Sequence, residues 1–196
     1  MDDKTKIRLT AAEMAMLWTQ YINDTASICV NSYFLEKVED MEIKPVIEYA
    51  LNGSKQNITF LKELFTKESF PVPMGFTEKD VHVNAPRLFS DTYFLMYLRN
   101  MSVLGLTAGG VSLGLVTRPE VVTFFKSVLK KAVGLQDLTR DLMLKQGTYV
   151  RPPFISTPDK VDFIERQSFL TGFLGEKRAL VAQKLRCCLI ISKQMP

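Results

Sequence analysis

The sequence predicts one all-helical domain, and three observations support that fold class. Apolar residues recur every three or four positions over four long segments, the period of an amphipathic helix. The 9 prolines lie at the starts of these segments, between them or after the last one. Hydrophobic residues make up 46% of the 196 residues and charged residues 23%, so the chain can build a globular core unaided.

The first helix is predicted over residues 10 to about 38. Thr10 and Glu13 have the spacing of a capping box, in which each side chain accepts a hydrogen bond from the other residue's backbone amide. Trp18 belongs to the apolar stripe of this helix, so we expect it to be mostly buried. The stripe consists of Met14, Leu17, Trp18, Tyr21, Ile28, Leu35 and Val38.

The other helices follow from turn and proline signals. A tight joint at residues 39–41 precedes a second helix over residues 42–67, with Pro45 in its first turn. Residues 69–85 contain Pro71 and Pro73 and cannot be helical, but they can run the length of a bundle. Pro86 suits the first position of a third helix, which extends to about residue 116.

Thr117, Pro119 and Glu120 predict a capped start for a fourth helix, which Gly147 ends. Residues 149–158 are proline-rich and predicted to be extended, and a short last helix follows to about residue 170. Two helical hairpins joined by one long crossover have the connectivity of a ferritin-like four-helix bundle. The predicted fold class is therefore all-α and ferritin-like.

Charge and cysteine content limit the partners and the compartment. The net charge of +4 comes from scattered basic residues, and the one tight cluster, Lys126, Lys130 and Lys131, is interpreted as a solvated helix face. No nucleic-acid partner is expected. Cys29 is interpreted as a small core residue, and three cysteines do not indicate a disulfide framework. The polar first residues favour the cytoplasm.

A glycine-rich stretch without charges occupies residues 100–117. Gly105 with Gly109, and Gly110 with Gly114, have the small-residue spacing of close helix crossings. The stretch is marginal in length for a membrane span and continues an amphipathic segment. We expect a central bundle helix that its neighbours approach closely, and no membrane span.

The residues do not predict the usual metal site of a ferritin-like bundle. That site needs Glu-x-x-His pairs, whereas His82 is the single histidine and lies in the crossover. No cofactor is expected. An all-carboxylate site for a hard cation is the alternative, with Asp24 and Asp91 as its ligands. The simpler interpretation pairs Asp91 with Arg87 one turn earlier.

No catalytic residues are predicted, because nothing brings His82 together with Asp80 or Ser90. Arg87, Asp91 and Arg151 have two interpretations. They fix the ends of the bundle through ion pairs, or they rim a pocket for a small molecule or partner.

Several short motifs of the chain occur together in one family. They are residues 9–13, 17–18, 33–35, 39–40, 71–77, 80–81, 85–91 and 151–153. With these motifs, residues 8–178 resemble an uncharacterised family of endospore-forming bacteria, a domain of unknown function with some members labelled "putative spore coat protein". The resemblance implies a ferritin-like fold and carries over no catalytic residues.

The resemblance also implies a domain organisation. Longer members carry two bundles in tandem, whereas here the bundle domain covers residues 1–178 and residues 179–196 form a divergent tail, interpreted as the stump of a second repeat. A single copy with a wide apolar surface predicts a homodimer, because a second copy can cover the face left open.

The leading functional hypothesis is a non-enzymatic structural or interaction protein, associated with sporulation and with spore-coat proteins as partners. Its compartment is the cytoplasm or, alternatively, the spore coat. A ferritin-like metal or redox protein with an atypical site is one alternative function. A carrier that binds a small ligand inside the bundle is another.

Overall fold

The computed structural model describes residues 8–154 and residue 157. The chain divides into two compact units, Met1–Tyr149 and Val150–Pro196. In the second unit, the described residues 150–154 and 157 are exposed and have no regular secondary structure. The predicted last helix and the tail at residues 179–196 lie outside the described residues.

Four α-helices make up the first unit, and residues 8–154 contain no β-strand, as the all-α prediction requires. The helices α1 and α2 form one hairpin, and α3 and α4 form the other; α2 then packs on α4, and α1 packs on α3. A long crossover joins α2 to α3 and contains a short 3₁₀ turn at Glu78–Asp80. The helix bounds are α1 Ala11–Lys37, α2 Lys44–Lys67, α3 Asp91–Leu115 and α4 Pro119–Lys145.

The carboxylate of Glu13 joins the start of α1 to the turn between α3 and α4. One oxygen accepts from the Thr10 amide at 2.8 Å, and the Glu13 amide donates to the Thr10 hydroxyl, which confirms the predicted capping box. The other oxygen accepts from the amides of Thr117 and Arg118, each at 2.8 Å. Glu13 is fully buried. A single carboxylate therefore satisfies backbone donors of two separate segments.

The predicted cap of the fourth helix is wrong. Arg118 is the N-cap residue of α4 and makes no side-chain capping bond. Thr117 lies one residue before this N-cap, and its amide and hydroxyl both donate to Glu13. Glu120, expected to complete the capping box, instead forms ion pairs with Lys67 and Arg118.

The third helix begins five residues later than predicted, at Asp91 rather than Pro86. Ser90 is its N-cap residue, and the Ser90 side chain accepts from the amide of Tyr93 at 3.2 Å. The Tyr33 hydroxyl holds the preceding residues in an irregular path, since it donates to the Pro86 carbonyl and accepts from the Leu88 amide. The Ser90 cap and the hydrogen bonds of Tyr33 therefore determine where α3 begins, although Pro86 would suit the first turn of a helix.

The crossover packs against the middle of α1. Thr25 accepts a hydrogen bond from the Phe76 amide at 3.1 Å, and a Cβ atom on Gly75 would lie only 2.7 Å from the Thr25 side chain. Only glycine allows that approach. Cys29, expected in the core, is half-buried, and its thiol donates to the Thr77 carbonyl of the crossover.

The close crossing predicted for the glycine-rich helix is confirmed for Gly105 and Gly109 but not for Gly110 and Gly114, where an added Cβ atom would meet no described atom within 4 Å. A Cβ atom on Gly109 would lie 3.0 Å from Leu129, and one on Gly105 would lie 3.2 Å from the Cβ of Ala132. The glycines therefore let α4 approach α3 closely. Among the described helices, none is long and apolar enough to cross a membrane.

Two apolar clusters lie at opposite ends of the bundle. The Phe65 cluster includes Leu17, Phe65 and Phe125, and the Phe94 cluster includes Ile47 and Phe94; all five side chains are buried. The expectation for Trp18 is wrong, because its side chain is 44% exposed and only packs edge-on against Phe70. The buried face of α1 is the face of Leu17 and Tyr21, and Trp18 lies beside it.

We predict that Glu13→Gln destabilises the protein at neutral pH. Burial raises the pKa of Glu13, but hydrogen bonds from the amides of Thr10, Arg118 and Thr117 outweigh it and lower that pKa from 4.5 to about 2. The ionised group therefore stabilises the fold above pH 4.5, and this contribution disappears as the pH falls towards 2. The difference corresponds to about 3 kcal/mol in the free energy of unfolding.

Urea unfolding of the wild type and the variant between pH 2 and pH 7 measures this effect. The exposed residue Glu63 on α2 provides the control, because Glu63→Gln should leave the free energy of unfolding unchanged at every pH. An equal loss of stability for Glu13→Gln at both ends of the pH range would contradict the assignment.

Candidate functional site

A cavity of about 430 Å³ lies between the Phe65 cluster and the Phe94 cluster, where the two hairpins meet. All four helices contribute to its lining. One wall is mostly polar and consists of the lining residues of the first hairpin together with Lys131 of α4; the other lining residues of the second hairpin are mostly apolar. The polar lining includes Gln20, Asp24, Ser27 and Asn31 of α1, Ser54 and Asn57 of α2, and Lys131 of α4.

The charged groups of this wall are connected through an amide. The Asp24 carboxylate accepts from the Gln20 amide at 2.8 Å and from the Asn57 amide at 3.1 Å. The oxygen of the Asn57 side chain accepts from the Lys131 ammonium at 2.7 Å, and the Gly53 carbonyl accepts from the same ammonium at 3.4 Å. Asn57 therefore lies between the anion and the cation and bonds to both.

Burial shifts the pKa values of both charged groups toward their neutral forms. Asp24 is only 6% exposed, and its desolvation raises its pKa from 3.8 to about 6, although hydrogen bonds and the charge of Lys131 act in the opposite direction. Desolvation lowers the pKa of Lys131, with Asp24 opposing the shift. The ionised pair is thus held in the cavity at a cost in free energy.

A second set of polar groups lies farther along α1. The Ser27 hydroxyl accepts from the Asn31 amide at 2.9 Å and from the Ser54 hydroxyl at 3.1 Å. Asn31 is 2% exposed, and its side-chain oxygen has no hydrogen-bond partner in the described part of the chain. A buried acceptor without a partner is costly, so this position is short of a donor.

The opposite wall is apolar and partly open. Leu98, Met101, Val128, Ala132 and Leu135 line it. Leu104, Thr107 and Ala108 also line the cavity and are themselves exposed, so the cavity reaches solvent beside α3.

The two carboxylates considered for a metal site are far apart. Asp24 lies in the cavity, whereas Asp91 accepts from the backbone amides of Glu39 and Asp40, beyond the end of α1. The rise of an α-helix puts about 20 Å between Asp24 and that end of α1. In residues 8–154 and 157, no three His, Cys, Asp or Glu side chains form a group that could hold a metal ion.

Two of the residues proposed for a rim pocket, Arg87 and Asp91, are in contact. Arg87 forms the ion pair with Asp91 that the sequence suggested, at 2.9 Å, and a second one with Glu39. These contacts link the α1–α2 joint to the start of α3. Arg151 is exposed and belongs to the second unit. A binding role for these three residues stays a prediction.

The polar groups around His82 have separate structural roles. His82 is exposed in the crossover. Asp80 accepts from the Thr77 amide at 2.7 Å and caps the 3₁₀ turn, while Ser90 caps α3.

Of the seven polar lining residues named above, only Asp24 was a site candidate from the sequence; Gln20, Ser27, Asn31, Ser54, Asn57 and Lys131 were missed. Lys131 was interpreted as part of a solvated face, whereas it is half-buried and its neighbours Lys126 and Lys130 are exposed. Ser54 and Asn57 interrupt the apolar stripe of α2 between Leu51 and Ile58, which is the signal that could have identified them.

Comparison with known proteins supports the fold. A solved structure described as a "putative spore coat protein" from Bacillus halodurans is 20% identical, with a TM-score of 0.68 over 77% of this chain and 98% of that chain. A fragment of the DUF305 family from Deinococcus radiodurans is 9% identical, with a TM-score of 0.59 over 71% of this chain and 99% of that chain. At these identities the likeness shows the fold alone. No curated protein matches the chain.

The family comparison covers most of the sequence. Residues 2–161 match the family described as "Protein of unknown function (DUF3231)". This match includes all four helices and every residue that lines the cavity. The chain therefore belongs to the DUF3231 family.

Proposed function

We propose that this protein is a non-enzymatic binding protein that holds a small organic molecule in the cavity of its helical bundle. The cavity between the two hairpins is the observation that carries the proposal. Its volume of about 430 Å³ falls in the range of ligand pockets, and its lining combines an apolar wall with a few converging polar groups. Such a lining suits a molecule with an apolar body and a polar edge.

The energetic cost of the polar wall supports a binding role. A carboxylate whose pKa burial raises makes the folded state less stable at neutral pH than an uncharged residue would. Apolar side chains could fill the middle of the bundle as they fill its two ends. Buried polar groups that lower stability are typical of functional sites.

The arrangement of the cavity groups favours binding over turnover. Asp24 and Lys131 are both engaged by the Asn57 side chain, and Asp24 is also held by Gln20. Fixed, mutually bonded groups recognise a ligand well.

We also propose an association with sporulation. A structural neighbour is described as a "putative spore coat protein", which supports an association with sporulation and with spore-coat proteins. We propose the cytoplasm as the compartment, with the spore coat as the alternative. We also propose that the bundle is ferritin-like. A fluorescent fusion followed through sporulation of a spore-forming host distinguishes the two compartments.

Ligand binding is tested with N-phenylnaphthylamine, an uncharged fluorescent probe with an apolar body. We predict saturable binding of one probe per chain and a loss of at least about tenfold in affinity for Ala108→Trp, which places a large side chain at the open edge of the cavity. The exposed residue Ala15 on α1 lies outside the lining, so Ala15→Trp is the control and should bind normally. Equal affinities for the two variants would reject the cavity as the site.

We predict that Asp24→Asn stabilises the protein at neutral pH. The folded-state pKa of Asp24 lies above its ordinary value, so its ionisation opposes folding as the pH rises from 3.8 to about 6, and the full cost remains at higher pH. Asparagine removes this cost, on the order of 1–3 kcal/mol, while its amide keeps an acceptor for Gln20 and Asn57.

Thermal or urea unfolding at pH 4 and pH 7 measures this gain, which should be present at pH 7 and small at pH 4. Asp91→Asn is the matched variant, since Asp91 accepts from two backbone amides and pairs with Arg87, and its loss should destabilise the fold. Destabilisation by Asp24→Asn at pH 7 would mean that Asp24 has only a structural role.

Self-association is also part of the proposal. Apolar side chains are exposed along α3, and a second copy would cover them, with an interface of at least about 1,000 Å². We predict a homodimer in light scattering at micromolar concentration. The exposed side chains are Met96, Val103, Leu104, Val111 and Leu115.

The variant Val111→Lys should shift the scattering mass to that of one chain, because a buried lysine at the interface is costly. Val133→Lys on α4 is the control, with a side chain of similar exposure, 48% against 57% for Val111. A wild-type protein that scatters as a monomer would exclude the homodimer.

A further inference from the structure

The lining of the cavity also indicates the chemical class of the ligand. This inference rests on the binding function proposed above. Three properties of the lining bear on this question. They are the balance of charge, the balance of hydrogen-bond donors and acceptors, and the distribution of apolar surface.

The charge of the cavity is balanced without a ligand. The lining has one acidic group, Asp24, and one basic group, Lys131, and the other lining residues are uncharged. The Asn57 side chain bonds to both charged groups. A ligand that brought a net charge into this partly buried space would leave that charge without a counter-charge of its own. The charge balance therefore favours an uncharged ligand.

One buried acceptor of the lining lacks a partner, and this favours a ligand that donates. The side-chain amides of Gln20 and Asn57 donate to Asp24, the amide of Asn31 donates to Ser27, and the Lys131 ammonium donates to two oxygens. The oxygen of Asn31, by contrast, is buried without a partner in residues 8–154 and 157. Because Asn31 lines the cavity, a donor on a ligand there would satisfy this oxygen.

The apolar surface determines where the body of the ligand lies. Leu98, Val128 and Leu135 face the polar wall from the second hairpin, on α3 and α4. A volume of about 430 Å³ is near the lower end of the range for ligand pockets, so the ligand is compact. Its hydroxyl or N–H group would lie on the side of α1, with Asn31.

We propose that the cavity binds a compact, uncharged molecule that carries a hydroxyl or N–H donor on an apolar body, with Asn31 as the acceptor that selects the donor. The charged groups of the wall then contribute to selection by excluding ions. Asp24 excludes anions and Lys131 excludes cations, while each neutralises the other.

A set of four ligands with the same ring tests the class on the wild-type protein. Benzyl alcohol is the uncharged donor, benzyl methyl ether lacks the donor, and benzylamine and benzoate carry opposite charges at neutral pH. Ligand-observed NMR titration should show benzyl alcohol binding about tenfold more tightly than the ether and than either ion. Competition with N-phenylnaphthylamine assigns the binding to the cavity.

Variants of the wall test the assigned roles. Asn31→Leu should reduce the preference for alcohol over ether to less than about twofold while the ether still binds. Lys131→Met leaves Asp24 without its counter-charge and should admit benzylamine, whereas Asp24→Asn should admit benzoate. Thermal unfolding of each variant checks that the bundle is intact.

The outcomes separate this inference from the proposed function. Binding of the ether as tight as that of the alcohol, or tighter binding of either ion, overturns the ligand class and leaves the cavity as a binding site. Failure of N-phenylnaphthylamine and all four ligands to bind overturns both, because the cavity then holds only water.

Discussion

The buried carboxylate of Asp24 needs hydrogen-bond donors in the middle of the bundle, and the polar part of the cavity lining follows from that need. Gln20 supplies one donor from α1, and Asn57 supplies another from α2. Asn57 in turn accepts from Lys131, which brings α4 into the same network. These polar groups occupy the middle of the bundle, so the two apolar clusters are separate and the cavity lies between them.

Two buried carboxylates on α1 show how differently the same group can act. Glu13 accepts from three backbone amides, and these bonds lower its pKa to about 2 despite burial. Asp24 is bonded by side chains, and burial outweighs them and raises its pKa to about 6. Glu13 therefore stabilises the fold at neutral pH, while Asp24 opposes it. A buried group that destabilises the fold is better explained by ligand binding than by a structural role. The cavity that contains Asp24, rather than the end of the bundle that contains Glu13, is therefore the proposed site.

The four helices and their connectivity could be predicted from the sequence. The spacing of apolar residues, the prolines and the capping box of Thr10 and Glu13 all act locally. The prediction failed where residues distant in sequence interact. Thr117 donates its hydrogen bonds to Glu13, and the Tyr33 hydroxyl accepts from the Leu88 amide, so that α3 begins later along the chain. Asp24 was named from the sequence as a candidate ligand for a hard cation, whereas Lys131 was assigned to the surface. The site depends on which faces of the two hairpins meet, and periodicity within a single helix does not contain that information.

The central claim is that a small uncharged donor occupies the space between the hairpins. Nuclear Overhauser contacts between benzyl alcohol and a protein with labelled Leu and Val methyl groups measure this most directly. We expect contacts with the methyl groups of Leu98, Val128 and Leu135, which line the cavity, and none with those of Leu61 and Val121 in the Phe65 cluster. Contacts confined to exposed methyl groups, such as those of Val103 and Val133, would contradict the account.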